Sequence, residues 1–124
     1  MPIRELEKKK LIKNRSFRLA VSVVKIRQEL IDKREFVMSR QLLRSATSVG
    51  AMMREAEHAE SKKDFIHKSA IAQKELNETL YWLELLSACK MIDPENYEVL
   101  HNEAGQMMRM IIRIIKTAKQ NLNG

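Results

Sequence analysis

The sequence contains few of the residues that interrupt or end helices, with only three glycines and two prolines in 124 residues. Because β folds need many turns, and turns are rich in these two residues, this shortage argues against a β fold. Leu, Ile, Met, Ala, Glu, Lys and Arg are abundant instead, and these residues favour helix. The length suits a single hydrophobic core, so we predict one all-α domain over residues 1–124.

Cysteine and long apolar runs are also scarce. The single cysteine, Cys89, cannot form an internal disulfide, which suits a reducing compartment. No apolar run approaches the roughly 18 residues that a membrane span needs. The first residues, MPIRELEKKK, lack the apolar region of a secretory signal. We therefore expect a cytoplasmic protein with no membrane partner.

Motifs that carry catalytic chemistry are missing from the sequence. It has no Gly-rich phosphate loop, no Cys-x-x-Cys pair and no ordering of Ser, His and Asp that stands out from chance. We expect no enzyme activity, no cofactor and no small-molecule substrate.

Negative charge is scarce at both ends of the chain, and the net charge of the whole chain is +7. Residues 1–34 contain eleven Lys or Arg and four acids, and residues 104–124 contain four bases and no acid. Residues 35–103 contain eight bases and twelve acids. Basic ends around an acidic middle are compatible with a polyanionic partner, and equally with a solvated surface that keeps the protein soluble.

Hydrophobic periodicity predicts four helices, over about residues 15–32, 40–59, 62–90 and 94–120. Ser39, Ser61 and Asp93 are the predicted N-caps. Residues 1–14 form either a basic leader or an extension of the first helix. Short turns between long helices force neighbours to run antiparallel, so we predict an up-down-up-down four-helix bundle.

Two apolar rows lie side by side on the first helix and two on the fourth. On the first helix, Phe17, Ala20, Val24 and Ile31 form one row and Leu19, Val23, Ile26 and Leu30 form the other. Such breadth favours a second buried surface, and thus self-association, although a broad core face is the alternative. Cys89 is predicted to pack on the apolar row near the end of the third helix.

Two Glu-x-x-His motifs, Glu55 to His58 and Glu98 to His101, have the spacing used for ligands in di-iron bundles. In an up-down-up-down bundle, however, the second and fourth helices run parallel. Eleven residues of offset at about 1.5 Å each then place the motifs roughly 16 Å apart along the axis. We therefore predict no metal site, and a ferritin-like protein remains only as a remote alternative.

Polar residues recur along the second and third helices. They are predicted to form a structural network between the two helices, with solvent exposure as the alternative. The candidate members are Gln41, Arg44, Ser48, Glu55, Lys74, Glu75 and Glu78.

Basic residues form a stripe on the fourth helix, and the first helix is its neighbour once the bundle closes. Their surfaces would merge into one patch suited to a phosphate backbone, with a solvated outer face as the alternative. The candidate nucleic-acid-binding residues are Lys8, Lys9, Lys10, Lys13, Arg15, Arg18, Lys25, Arg109, Arg113, Lys116 and Lys119.

Three stretches in the middle of the chain resemble a known family. They are QLLRSATSVGAMMREA from Gln41, SKKDFIHKSAIAQKELNET from Ser61 and YWLELL from Tyr81. These stretches resemble the four-helix-bundle proteins associated with intervening sequences of bacterial 23S rRNA, which are similar to the accessory bundle protein of diversity-generating retroelements. Met52 stands where the family usually has Asn, so any polar contact made by that Asn is absent or replaced.

The resemblance implies a left-handed antiparallel bundle that assembles into a ring, often a pentamer, and has no enzyme activity. It also implies nucleic-acid binding, with RNA favoured over DNA. The leading hypothesis is thus a non-catalytic oligomer that binds nucleic acid through the first and fourth helices. The alternative is an assembly module with no nucleic-acid role.

Overall fold

The computed structural model describes residues 3–123, apart from the side chains of Ile3, Glu5 and Asn123. Over this range the chain forms four helices and no strand: α1 (Ile3–Asp32), α2 (Val37–Glu57), α3 (Lys62–Ala88) and α4 (Pro94–Asn123). Helix α1 packs against α2 and α4, and α3 packs against the same two helices. Because the turns between them are short, consecutive helices run antiparallel. The predicted four-helix bundle is confirmed.

The first helix is much longer than residues 15–32. Residues 3–14 continue α1 without a break, so the basic N-terminal segment is helical and lies along the bundle. Ile12 within this segment is fully buried, which ties the extension to the core. No helix in the described part of the chain is long and apolar enough to cross a membrane.

The start of α2 differs from the prediction. Ser39 is wrong as its N-cap, because the helix begins at Val37 and Ser39 is buried inside it. Phe36 holds the cap position without a side-chain hydrogen bond. The Glu35 carboxylate accepts instead from the Met38 backbone N–H at 2.8 Å and so satisfies one of the open donors of the first turn.

The other two predicted N-caps are confirmed. The Ser61 hydroxyl accepts from the Asp64 backbone N–H at 3.0 Å, while the Asp64 carboxylate accepts from the Glu60 N–H at 3.1 Å. At the start of α4, the Asp93 carboxylate accepts from the backbone N–H of Glu95 at 2.8 Å. Pro94 at the first helical position loses nothing, because its missing N–H would have had no partner there.

The two apolar rows of α1 have different environments. Leu19, Val23 and Leu30 are fully or almost fully buried in the core. Phe17 and Val24, from the other row, are 60% and 52% exposed. The core of the single chain therefore uses only one of the two rows, and the second lies on the outer surface of α1.

Small and hydroxylated residues of α2 lie where it meets its neighbours. Gly50 faces the Ser16 backbone on α1, and a methyl group added there would lie 3.6 Å from the Ser16 carbonyl oxygen. Ser45 and Thr79 are both fully buried, and their hydroxyl oxygens form a 2.9 Å hydrogen bond between α2 and α3. This bond satisfies polar groups that would otherwise be costly to bury.

The turn after α3 also differs from the prediction. Cys89 is exposed, so its predicted packing on the apolar row is wrong. The helix ends at Ala88, one residue too early for the periodicity to carry Cys89 into the core. Lys90 follows with φ of 57°, and the backbone N–H of Met91 donates to the Leu86 carbonyl at 2.9 Å. These features define a Schellman turn with lysine in the left-handed position.

A candidate nucleic-acid interface

A groove at one end of the bundle gathers basic residues from three helices. It forms where α1 begins, α2 ends, α3 begins and α4 ends, and its volume is about 670 Å³. This groove, called here the basic groove, is lined by the following cationic side chains: Arg4, Lys8, Lys9, Lys62 and Arg113. Their convergence gives the groove an excess of positive charge, because Glu57 is the single acid among its lining residues in the described part of the chain.

The Glu57 carboxylate is already paired. The Lys13 ammonium lies 3.0 Å from it and links α1 to the end of α2. The hydrogen bond from Lys13 lowers the pKa of Glu57, so the carboxylate stays charged and neutralised by that lysine. The pair thus removes most of the negative charge of Glu57 from the groove, and it occupies one of the predicted nucleic-acid residues.

Arg15 is likewise engaged within the chain. Its guanidinium donates two hydrogen bonds to the Glu103 carboxylate, at 2.8 and 2.9 Å, and a third to the Gln106 side-chain oxygen at 2.8 Å. The Met110 sulfur lies 3.1 Å from the guanidinium. These contacts join α1 to α4 and use the donors with which an arginine would hold a phosphate.

Lys9 lies against an aromatic ring in the basic groove. Its ammonium is 4.1 Å from the centre of the Phe65 ring, within the range of a cation–π contact. Lys8 and Lys10, on either side of it along α1, are exposed. Further along the helix, Arg18 and Lys25 are exposed too, but neither lines the basic groove.

The four basic residues of α4 do not share one groove. All are exposed, but only Arg113 lines the basic groove. Lys116 and Lys119 line a separate depression with Gln73 of α3, on the other side of α4. Arg109 lines neither depression. The helical turn between these positions spreads the stripe across two faces of the bundle.

The polar residues of α2 and α3 form two clusters. Arg44 makes a 3.0 Å contact with Glu75, a closer one with Glu78, and a 3.2 Å hydrogen bond with Gln41. Hydrogen bonds from Arg44 and then from Trp82 lower the pKa of Glu78. Because Arg44 is 45% exposed, the cluster is solvated and its contribution to stability is modest.

The remaining members of the predicted network lie apart from Arg44 or contact only its backbone. Glu55 pairs with Lys68 at 3.2 Å, and the Ser48 hydroxyl donates to the Arg44 carbonyl at 2.7 Å. Lys74 is exposed. The polar side-chain contacts between α2 and α3 therefore comprise two separate ion-pair clusters and the buried hydrogen bond between Ser45 and Thr79.

The two Glu-x-x-His motifs do not converge. Glu55 is held by Lys68, while the His101 ring nitrogen lies 3.1 Å from Glu84. No group of three His, Cys, Asp or Glu side chains placed to hold a metal ion occurs among residues 3–123.

The sequence did not identify two of the cationic residues of the basic groove, Arg4 and Lys62, or its aromatic residue, Phe65. Arg4 and Lys62 are far apart in the chain and meet only because α1 extends to residue 3 beside the turn before α3. Helical continuation through residues 3–14 is the signal that identifies Arg4. Phe65 belongs to the apolar row of α3, and at 9% exposure it lies at the edge of the core and of the groove.

The fold and the groove define an all-helical bundle with a concentrated basic surface. The family model for the 23S rRNA-intervening sequence protein matches residues 8–113, and the chain belongs to this family. A crystal structure of a protein with unknown function from the S23 ribosomal protein family of Bacteroides thetaiotaomicron is 47% identical. The match covers 88% of this chain and 98% of that chain, with a TM-score of 0.85. No curated protein matches the chain.

Proposed function

We propose that the protein is a non-catalytic bundle that binds RNA through the basic groove and the exposed basic residues beside it on α1 and α4. The observation that carries the proposal is the convergence of five cationic side chains from three helices on one groove whose single carboxylate is already paired. Phosphate contacts of this kind supply affinity without reading sequence. The family description, which refers to 23S rRNA, favours RNA over DNA as the polyanion.

The proposal uses only part of the predicted basic set. Lys13 and Arg15 are left out, because their ammonium and guanidinium groups are held by Glu57 and Glu103. Lys8, Arg113 and Lys62 carry it, since all three are exposed and line the groove. Arg4 extends the same surface towards the start of α1.

Binding of the full chain to RNA at several salt concentrations tests the proposal. The logarithm of the binding constant falls linearly with the logarithm of the salt concentration. Removal of one cation that pairs with a phosphate should make this slope shallower by about 0.7 for single strands and by about 0.9 for duplex-like RNA. The double variant Lys8→Glu, Arg113→Glu should therefore bind more weakly and with a shallower slope. The double variant Arg27→Glu, Arg40→Glu is the matched control, because both are exposed arginines at the other end of the bundle, near the end of α1 and the start of α2.

RNA binding that ignores both salt and the double variant would overturn the proposal. An equal loss of binding with Arg27→Glu, Arg40→Glu would also overturn it, because only the total charge would then matter. Circular dichroism of each variant should match that of the wild type, since the four side chains are exposed.

Self-association is the second part of the proposal. A cleft of about 270 Å³ runs between α1 and α2, and we call it the α1–α2 cleft. Its lining residues are Lys13, Phe17, Ala20, Thr47, Gly50, Ala51 and Arg54. Phe17 lines this cleft, and exposed Val21 and Val24 continue an apolar row along the surface of α1. Such a row favours contact with another protein surface. A second copy of the chain is the proposed occupant, in a ring of the kind that the resemblance implies.

An assembly module with no RNA role is the second candidate function, and the same exposed row supports it. Sedimentation with and without RNA separates the two. A multimer whose sedimentation does not change when RNA is added at low salt would favour the assembly module.

A further inference from the structure

We propose that the basic groove holds an unpaired nucleotide of the bound RNA, with the base against its apolar lining and the phosphates on its cationic rim. This inference rests on the proposed function, since it names the form of RNA that the groove selects. It comes from a property that electrostatic binding alone does not require, namely the size and apolar character of the groove.

The groove is larger than a surface that only neutralises phosphates would need. Its volume of about 670 Å³ lies within the range of about 300–1,000 Å³ that is typical of small-ligand sites. Alanines at positions 56, 59 and 118 contribute only methyl groups to its lining, and these short side chains leave the space open. A groove of this size is suited to an inserted group rather than to a passing backbone.

The apolar lining is suited to a planar group. Phe65 and Ile114 line the groove together with the alanines, and both are almost fully buried, so their contact surfaces are held by the core. The Lys9 ammonium lies over one face of the Phe65 ring. A base in the groove would therefore pack against the ring edge and the neighbouring apolar side chains, while its phosphate pairs with the cations of the rim.

The rim selects an anion and offers hydrogen bonds. Arg4, Lys8, Lys62 and Arg113 contribute positive charge, while Thr117 and Asn121 add polar groups that can bond to a base or ribose. A purely apolar ligand, such as an acyl chain, would cover these polar groups without bonding to them. Charge complementarity together with the apolar lining therefore favours a nucleotide.

An unpaired nucleotide is required, because a base inside a helix is stacked on both faces. In A-form RNA the deep, narrow major groove also keeps side chains from the base edges. Single-stranded segments, loops and ends can place one base in the groove while the neighbouring phosphates lie on the rim. We therefore expect single-stranded RNA to bind more tightly than a blunt duplex.

Fluorescence anisotropy of the full chain tests this with two labelled RNAs, a 12-nucleotide single strand and a blunt hairpin of the same length whose two strands are joined by a non-nucleotide linker, so that it has no unpaired base. The wild type should prefer the single strand by about tenfold, the effect of roughly one stacked base. Ala118→Phe, which fills the groove without changing charge, should reduce the preference to about twofold or less while hairpin binding stays the same. Ala88→Phe is the control, since Ala88 is exposed at the end of α3, at the opposite end of the bundle from the groove.

Cross-linking of wild-type protein to a 4-thiouridine single strand supplies a measurement that needs no variant. Mass spectrometry should locate the cross-link within residues 4–9, 56–65 or 113–121, the segments that line the groove. Cross-links confined to other segments would overturn the inference. So would equal binding of single strand and hairpin, or a preference that Ala118→Phe leaves intact.

Competition with adenosine monophosphate distinguishes a nucleotide within RNA from a free nucleotide. If adenosine monophosphate displaces the labelled strand at concentrations similar to those at which the unlabelled 12-nucleotide strand does so, the groove serves free nucleotides. That result would overturn the assignment to RNA. Failure of every RNA to bind would instead overturn the proposed function. Equal, salt-dependent binding of both RNAs would leave that function standing and remove only this inference.

Discussion

Arg15 of α1 and Glu103 of α4 form a two-pronged ion pair, with guanidinium nitrogens 2.8 and 2.9 Å from the two carboxylate oxygens. The Arg15 side chain is only 14% exposed and that of Glu103 is 33% exposed, so the pair is partly shielded from water. Parallel hydrogen bonds fix the relative position of the two helices as well as attracting the charges. Helices α1 and α4 are the first and last of the four described helices, and this contact closes the bundle.

Glu103→Gln should lower the free energy of unfolding by about 1 kcal/mol at pH 7, because it replaces a charge-assisted pair with one neutral hydrogen bond. Urea denaturation measures the effect. Glu29→Gln is the matched control, since Glu29 pairs with Lys33 at 3.6 Å on the exposed surface of α1. The control should lose less than about 0.5 kcal/mol. Equal losses in the two variants would contradict the structural role of the Arg15 pair.

The stabilisation that Glu103 contributes to the folded state should decrease as the pH falls. The hydrogen bond from Arg15 lowers the pKa of Glu103 in the folded state, so unfolding raises the pKa again to about 4.3. The stabilisation is therefore complete above about pH 5 and is lost as the pH falls through the lowered, folded-state pKa. Denaturation at pH 7 and at pH 3 should show the difference between wild type and Glu103→Gln shrinking with acid. A difference that grows as the pH falls would refute this assignment.

Gly50→Ala should stabilise the protein by about 0.5–1 kcal/mol. Glycine inside a helix costs about that amount relative to alanine. A Cβ at this position would lie 3.6 Å from the Ser16 carbonyl oxygen, an ordinary contact distance. Gly50→Leu should instead destabilise by about 1–3 kcal/mol, because its larger side chain meets the α1 backbone.

Gly105→Ala is the control for the alanine substitution. Its Cβ would meet only the far end of the Arg109 side chain, at 3.9 Å, so it reports helix propensity alone. Thermal melts of the two alanine variants should both shift upwards. An upward shift for Gly105→Ala with a downward shift for Gly50→Ala would show that the approach of α1 and α2 has no room for a methyl group.

Helix positions were predictable from the sequence, but the exact start of α2 and the surface of α1 were not. Periodicity identifies apolar rows on a helix without saying which row faces the partner helices, and α1 has two. The choice of Leu19 over Phe17 for the core depends on the packing of all four helices. Likewise, Ser39 has the residue type of an N-cap, but packing buries it and Glu35 supplies the hydrogen bond instead.

The basic groove was predictable only in part. Charge counts locate the positive ends of the chain, and the bundle topology brings α1 next to α4. The partners of individual cations depend on side-chain geometry, however, and charge counts do not distinguish Arg15, held by Glu103, from exposed Lys8. The groove also joins residues near positions 4, 62 and 113, which only the folded chain brings together.

Arg34→Gly and Lys90→Gly should each stabilise the protein by about 0.5–1 kcal/mol. Both residues have positive φ, 61° and 57°, in turns that end α1 and α3. A side chain in the left-handed region costs about 1–2 kcal/mol, and the added freedom of glycine in the unfolded chain offsets part of the gain. Lys33→Gly, one position earlier, should destabilise or change little. If the urea midpoints fall for both Arg34→Gly and Lys90→Gly, the positive φ of these two residues does not destabilise the folded protein, and the prediction is wrong.

Phe17→Glu should weaken self-association of the protein by about 2 kcal/mol, or about thirtyfold in Kd. Phe17 is 60% exposed and lines the α1–α2 cleft, so a charge there would be buried without a partner if a second copy covers it. Sedimentation velocity across a range of protein concentrations measures the change. The folded chain should tolerate the substitution, because the Phe17 side chain lies outside the core.

Val99→Glu is the control for that substitution. Val99 is 68% exposed near the start of α4 and lies outside the α1–α2 cleft, so the same kind of charge there should leave the sedimentation coefficient unchanged. If wild-type protein sediments as a single chain at every concentration, the exposed row on α1 has no second copy to cover it. If both variants dissociate the multimer alike, the effect comes from net charge, and the contact between copies lies on another face of the bundle.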